Sequence, residues 1–166
     1  MYRCIEDFLA EWKTERASTL KLLEALTDAS LAQKVDPEGR TLGFIAWHLP
    51  VCIVEMANRA GLGLSGPSEN AVAPTAAAGI AATYRDVSEQ LAEKTGVNWT
   101  DDSLEEEINM YGENWKKGFI LSVLIAHEVH HRGQMTVLMR QAGLKVPGVY
   151  GPSREEWGAM GMPPQK

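Results

Sequence analysis

The apolar residues of this chain recur every three or four positions in four segments, the spacing that places side chains on one face of an α-helix. The segments cover about residues 4–26, 41–60, 77–96 and 115–142. The first is defined by the apolar residues Ile5, Phe8, Leu9, Trp12, Leu20, Leu23 and Leu26. Each segment therefore predicts one long amphipathic helix.

Residues that favour helix ends mark the boundaries. Thr41 is a good N-cap for the second helix, and Gly61 and Gly143 follow the second and fourth helices. The sequence after Gly143 is rich in proline and glycine. We expect an irregular tail there that lies against the rest of the protein or frays, with one short helical turn capped by Ser153.

The second helix has a proline in its interior. Pro50 lacks a backbone N–H, so we expect a kink beside His48. The apolar face predicted for this helix carries Phe44, Ile45, His48, Val51, Cys52 and Glu55. His48 is therefore an imidazole at the centre of an otherwise apolar stripe.

Four amphipathic segments with little strand pattern predict an all-α four-helix bundle, as a single domain over residues 1–166. Residues 97–114 form a long connection between the third and fourth helices. Within it, residues 103–112 suit either a short extended piece anchored by Ile108 and Tyr111 or an ordered loop. The pattern does not choose between the two.

Composition and charge narrow the class of protein. A hydrophobic content of 45% in 166 residues supports one core of ordinary size. The formal net charge is −6 and there is no long basic run, so we expect no nucleic-acid partner. Two cysteines are too few for a disulfide framework and indicate a cytoplasmic protein. No apolar run approaches the ~20 residues of a membrane span, and the N-terminus lacks the apolar core of a signal peptide, so we expect no membrane association.

The fourth helix carries the strongest chemical pattern. His127 and His131 lie one turn apart on its apolar face, so their rings are neighbours. Imidazoles in a buried stripe are costly unless their nitrogens are satisfied, which a metal ion or a hydrogen-bonding neighbour can do. Together with His48 they would form a tripod on two facing helices, with one coordination position open for water or substrate. His130, at the edge of the stripe, is the weaker candidate.

Three neutral imidazoles suit a divalent metal ion, and zinc, nickel and ferrous iron all fit such a site. Two other polar side chains of the second helix share a face with His48. Cys52 is either a fourth ligand or a small core residue. Glu55 either orients a ligand or binds substrate, or it pairs with Arg59 or Arg132.

Residues 127–131 also match H-E-x-x-H, the zinc-protease signature, with Glu128 as the general base. The chain offers no sheet edge to hold an extended peptide, so we favour a solvated or supporting carboxylate for Glu128. Its neighbours Arg132 and Gln134 are interpreted as residues that brace the bundle rather than perform chemistry.

Two motifs carry a resemblance to a known family. The run TLGFIAWH at residues 41–48 and the run HEVHHRGQ at residues 127–134 resemble the DinB-like (YfiT-type) family of four-helix-bundle metalloproteins. The resemblance extends from the first helix through the fourth. It implies a metal triad at His48, His127 and His131 and no role for His130.

The resemblance implies a metal site more firmly than it implies a reaction. Activities implied for a bacterial-type member are transferase or isomerase reactions that depend on low-molecular-weight thiols, and metal-dependent hydrolysis. We therefore expect a metal-dependent transferase or hydrolase acting on a small molecule such as a low-molecular-weight thiol. A non-catalytic metal- or ligand-binding module is the alternative, and a homodimer is left open.

Overall fold

The computed structural model describes residues 1–163 and consists mainly of four long helices. They are α1 (Ile5–Glu24), α2 (Leu42–Arg59), α3 (Ala77–Asn98) and α4 (Lys117–Gln141). Helix α1 packs against α3 and α4, and α2 packs against the same two helices. The predicted four-helix bundle is confirmed. Short 3-10 turns at Asp28–Ala32, Asp102–Glu105 and Trp157–Met160 connect or follow the helices.

The core lies along the bundle axis and is built from the apolar stripes of all four helices. Its largest fully buried apolar side chains include Trp12, Phe8, Leu49, Leu91 and Tyr84. The polar atom of the Trp12 ring is satisfied within this core, because the indole N–H donates to the carbonyl oxygen of Ser88 at 2.9 Å. Burial of this apolar surface supplies the main driving force for assembling the helices.

Helix α2 begins where its cap predicts, but its buried face is rotated from the predicted one. The Thr41 hydroxyl accepts a hydrogen bond from the backbone N–H of Phe44 at 3.0 Å, and the helix continues through Pro50. Phe44 was expected in the buried stripe and is 49% exposed. The reason is that α2 is apolar on most of its circumference, so periodicity could not fix which side faces inward. Leu49 and Ile53 are fully buried, which leaves His48 at the edge of the core.

An antiparallel hairpin precedes α4. Strand β1 (Glu107–Met110) pairs with β2 (Glu113–Lys116), and both turn residues have positive φ, 57° at Tyr111 and 90° at Gly112, as a two-residue type I′ hairpin turn requires. The extended alternative is therefore correct for β1, whereas residues 103–105 belong to a 3-10 turn. Helix α4 begins two residues later than predicted because Trp115 belongs to β2.

The first part of the tail lies against the bundle, whereas residues 158–163 are exposed. Val146 is buried, and the Tyr150 hydroxyl donates to Glu15 Oε2 on α1 at 2.7 Å. The expected short turn is present, but its predicted cap is wrong. Glu156 occupies the N-cap position, and its carboxylate accepts the backbone N–H of Ser153 at 2.9 Å.

No helix in the described part of the chain combines the length and the apolar character that crossing a membrane demands.

Two glycines of α4 provide a matched test of this packing. A Cβ on Gly118 would lie 2.1 Å from the backbone oxygen of Tyr2, whereas a Cβ on Gly133 would meet nothing within 4 Å. Gly118→Ala should therefore lower the free energy of unfolding by about 1–3 kcal/mol through overlap. Gly133→Ala should raise it by roughly 0.5–1 kcal/mol because alanine favours the helix. Urea unfolding of both variants measures the two changes, and equal effects in the same direction would contradict the α4 placement.

Candidate metal centre

The structure brings together the three histidines that the sequence predicts as ligands. The ring centroids of His127 and His131, on α4, lie 4.4 Å apart, and that of His48, on α2, lies 5.1 Å and 4.9 Å from them. One nitrogen from each ring can be chosen so that all three lie within 4.8 Å of one another. Such a cluster could hold a metal ion.

The electrostatics of the cluster favour neutral imidazoles. Burial, followed by repulsion from His131 and His48, lowers the pKa of His127 to about 4. Burial also lowers the pKa of His48 and of His131, and the positive charge of Arg40 makes a smaller contribution to both. The rings therefore keep free lone pairs at neutral pH, which is the form that binds a divalent metal. A set of three such nitrogen donors fits zinc, nickel or iron.

Gln134 fixes the orientation of one ring in the cluster. Its Oε1 accepts a hydrogen bond from Nδ1 of His131 at 2.7 Å, while its amide nitrogen lies 3.0 Å from Nε2 of His130. If Nδ1 of His131 carries the proton, Nε2 presents its lone pair 3.1 Å from Nε2 of His127. The interpretation of Gln134 from sequence as a residue that braces the bundle overlooks this role. Its spacing of three residues from His131 was the available signal.

His130 takes no part in the cluster. It is exposed, and within residues 1–163 the group of mutually close donors comprises only the other three histidines. Its contact with Gln134 makes it a neighbour of the orienting residue. This agrees with the edge position that the helical wheel gives it.

Cys52 lies beside the cluster without joining it. Its Sγ is 3.3 Å from Nε2 of His48, yet it is absent from the set of donors that converge among the described residues. Burial, reinforced by the negative charge of Glu55, raises the pKa of the Cys52 thiol to about 12.

Glu128 faces the interior of the bundle rather than the cluster. Of the two expected roles, a solvated or a supporting carboxylate, the solvated one is therefore wrong. It is 1% exposed, and its Oε2 accepts hydrogen bonds from the Thr19 hydroxyl at 2.6 Å and the Tyr84 hydroxyl at 2.8 Å. Its Oε1 is buried without a partner among the described residues, and burial raises the pKa of the group to about 7. Glu128 directly follows His127 in the helix, so the two side chains point about 100° apart around the helix axis.

Arg132 braces the bundle, as predicted. Its buried guanidinium pairs with the carboxylate of Glu15, donates to the backbone oxygen of the same residue at 2.7 Å, and contacts the Tyr150 hydroxyl. The alternative pairing of Arg132 with Glu55 is wrong. Glu55 instead pairs with Arg59, the other partner considered.

The cluster opens onto a cleft of about 440 Å³ between α2, α4 and the hairpin. Its lining residues are His48, Val51, Cys52, Glu55, Met56, Arg59, Glu69, Tyr111, Val123 and His127. The walls near the histidines are mostly apolar, and the far end is polar. There the Tyr111 hydroxyl donates to Glu55 Oε2 at 2.6 Å. A cleft with apolar walls and a few polar groups is the usual form of a small-molecule site.

Comparison with known proteins places the chain in a family. The sequence model of the DinB family matches residues 1–165. The chain belongs to the DinB family. The resemblance carried by the two histidine motifs is thereby confirmed.

Relatives match over nearly the whole chain. The uncharacterized protein YrdA of Bacillus subtilis (strain 168) is 44% identical over 162 residues, which cover 98% of this chain and 97% of YrdA. A crystal structure of a DinB-like protein from Bacillus cereus ATCC 10987 has a TM-score of 0.87 at 45% identity, covering 90% of this chain and 100% of that one. The DinB-like protein YjoA of Bacillus subtilis has a TM-score of 0.68 at 16% identity, over 86% and 97% of the two chains, and shares the fold.

Single alanine substitutions test the ligand set. His48→Ala, His127→Ala and His131→Ala should each reduce the metal-to-protein ratio sharply, because each removes one of three donors. His130→Ala should leave the ratio unchanged, because its ring lies outside the cluster. Elemental analysis of the four purified variants measures this. Metal loss confined to the His130 variant would overturn the assignment.

Removing the orienting hydrogen bond should weaken the site without emptying it. We expect Gln134→Leu to lower metal affinity by about 10- to 100-fold, because the His131 ring loses the partner that fixes its tautomer. Competition with a chelator gives the affinity. Gln141→Leu, at the exposed end of the same helix, is the matched control. Equal affinities for the two variants would contradict an orienting role.

Proposed function

We propose that this protein is a metal-dependent enzyme that uses His48, His127 and His131 as ligands and acts on a small molecule bound in the adjoining cleft. The observation that carries the proposal is the position of the cluster: two of the three histidines, His48 and His127, line the cleft. A ligand in the cleft would therefore approach the metal position directly. Within that class, we favour a thiol-dependent transferase.

An open coordination position distinguishes a reactive site from a structural one. Three donors converge among residues 1–163, and neither Cys52 nor Glu128 adds a fourth. A divalent ion held there would supply a nucleophile at neutral pH by lowering the pKa of a coordinated thiol or water. The protein's own part is to hold three neutral rings in place, with Gln134 orienting His131.

The direction of Glu128 favours the thiol over the zinc-protease scheme. That scheme needs its glutamate to take a proton from water at the metal. Here the carboxylate is enclosed by Thr19 and Tyr84, on α1 and α3. A thiol that is deprotonated by coordination needs no such base. The family resemblance points to the same chemistry.

The partner we propose is a small molecule and not a nucleic acid. The cleft has the volume of a small-ligand site, and the formal net charge of −6 offers no basic surface for phosphates. The alternative function is a module that binds metal or ligand without turnover. Such a module would use the same three ligands as the enzyme. Thiol binding without turnover would indicate the module, whereas turnover would indicate the enzyme.

A cobalt-loaded sample tests the thiol-dependent proposal. Titration with small thiols should produce a sulfur-to-cobalt charge-transfer band, and His127→Ala should abolish it because the site then lacks a donor. Glu128→Gln should leave the band in place, because Glu128 faces away from the cluster.

The hydrolase alternative makes the opposite prediction. If Glu128 acted as base, Glu128→Gln would slow ester or amide hydrolysis by about 10²- to 10⁴-fold. The absence of a band with any thiol, together with hydrolysis that depends on Glu128, would overturn the thiol-dependent proposal.

A further inference from the structure

An arginine is held beside the candidate metal centre by an aromatic ring. The Arg40 guanidinium carbon lies 5.0 Å from the ring centroid of Phe44, and that ring stacks on His48 with centroids 6.1 Å apart and planes 16° apart. The order of the stack is therefore cation, aromatic ring, candidate ligand. Phe44 is 49% exposed, which is unusual for a large apolar side chain. Its contact with Arg40 gives the exposed ring a role, since the face of an aromatic ring attracts a cation.

The guanidinium of Arg40 has no anionic partner in the part of the protein that the structure describes. Across residues 1–163, no carboxylate lies within ion-pair distance of it, and it makes no side-chain hydrogen bond. The other arginines near the histidines differ in this respect, and Arg132 is paired with Glu15. Arg59 is paired with both Glu55 and Glu69 in the cleft. Arg40 is thus the cation near the cluster whose hydrogen-bond donors remain available.

A cavity of about 380 Å³ adjoins this arginine and shares no lining residue with the cleft described above. Its lining residues are Val35, Asp36, Gly39, Arg40, Ile45, Gln134, Val137 and Leu138. Gln134 connects it to the cluster, because the same side chain bonds Nδ1 of His131. The Asp36 carboxylate also lines it, but it accepts the backbone N–H of Glu38 at 3.0 Å and forms no ion pair with Arg40.

We propose that Arg40 is a substrate-recognition residue. The small molecule that reaches the histidine cluster from the cleft extends past His131 and Gln134 into this second cavity, where Arg40 binds its anionic group, a carboxylate or phosphate. A guanidinium presents paired donors that match such a group, and Phe44 holds it in place. Together with the metal position it gives two-point recognition of an anionic ligand. The inference rests on the proposed function, because it requires a substrate that reaches the metal.

Three thiols of equal chain length test this inference: 6-mercaptohexanoate, 6-mercaptohexanol and 6-aminohexanethiol. Each is titrated at low salt into the cobalt-loaded protein, and the charge-transfer band gives its dissociation constant. We expect the carboxylate to bind about tenfold or more tightly than the alcohol, because one charge-assisted contact is added, and the amine to bind least tightly. Arg40→Gln should abolish the preference, and Arg40→Lys should retain part of it.

The controls separate a local effect from a general one. Arg154→Gln removes the same charge from an exposed tail position and should keep the preference. Cobalt content and unfolding midpoint should match the parent protein in all variants, since Arg40 is exposed. Three outcomes would overturn the role of Arg40 and leave the thiol-dependent function standing. They are equal binding of the three thiols, a preference that survives in Arg40→Gln, and a preference that is lost in Arg154→Gln. No band with any thiol would overturn both this inference and the thiol-dependent function on which it rests.

Discussion

The arrangement of the site depends on how α4 places two ionisable side chains inside the bundle. Glu128 and Arg132 are one turn apart, both are buried, and each is hydrogen-bonded to partners on other elements. Turning either group away from those partners would leave a buried polar group unsatisfied, which costs about 1–3 kcal/mol, and more for a charged group. Thr19 and Glu15 of α1 and Tyr84 of α3 therefore fix the rotation of α4 about its axis.

That rotation determines where the candidate ligands point. His127 and His131 each precede one of the anchored residues by a single position, so they project about 100° around the helix from the buried pair. This direction is toward α2 and the cleft. One face of α4 thus packs into the core with Glu128 and Arg132, and the adjacent face carries the imidazoles of His127 and His131. Gln134 then settles the orientation of one ring at the edge of the site.

Much of this could be predicted from sequence because periodicity reports directly on which helix faces are apolar. The four helices, the Thr41 cap and the convergence of three histidines all follow from spacing. The burial of Glu128 could not be predicted, because its partners Thr19 and Tyr84 lie 109 and 44 residues away along the chain. The exposure of Phe44 was missed for a related reason. Local pattern does not say which side of a broadly apolar helix meets its neighbours.

We propose that three imidazoles hold a metal ion and leave one coordination position for a small molecule. X-ray absorption spectroscopy of the zinc-loaded protein measures the number and type of ligands at that ion. We expect three imidazole nitrogens at about 2.0–2.1 Å and one exchangeable light-atom ligand, which sulfur at about 2.3 Å replaces when a thiol is added. Fewer than three imidazoles, or a sulfur ligand before any thiol is present, would contradict it.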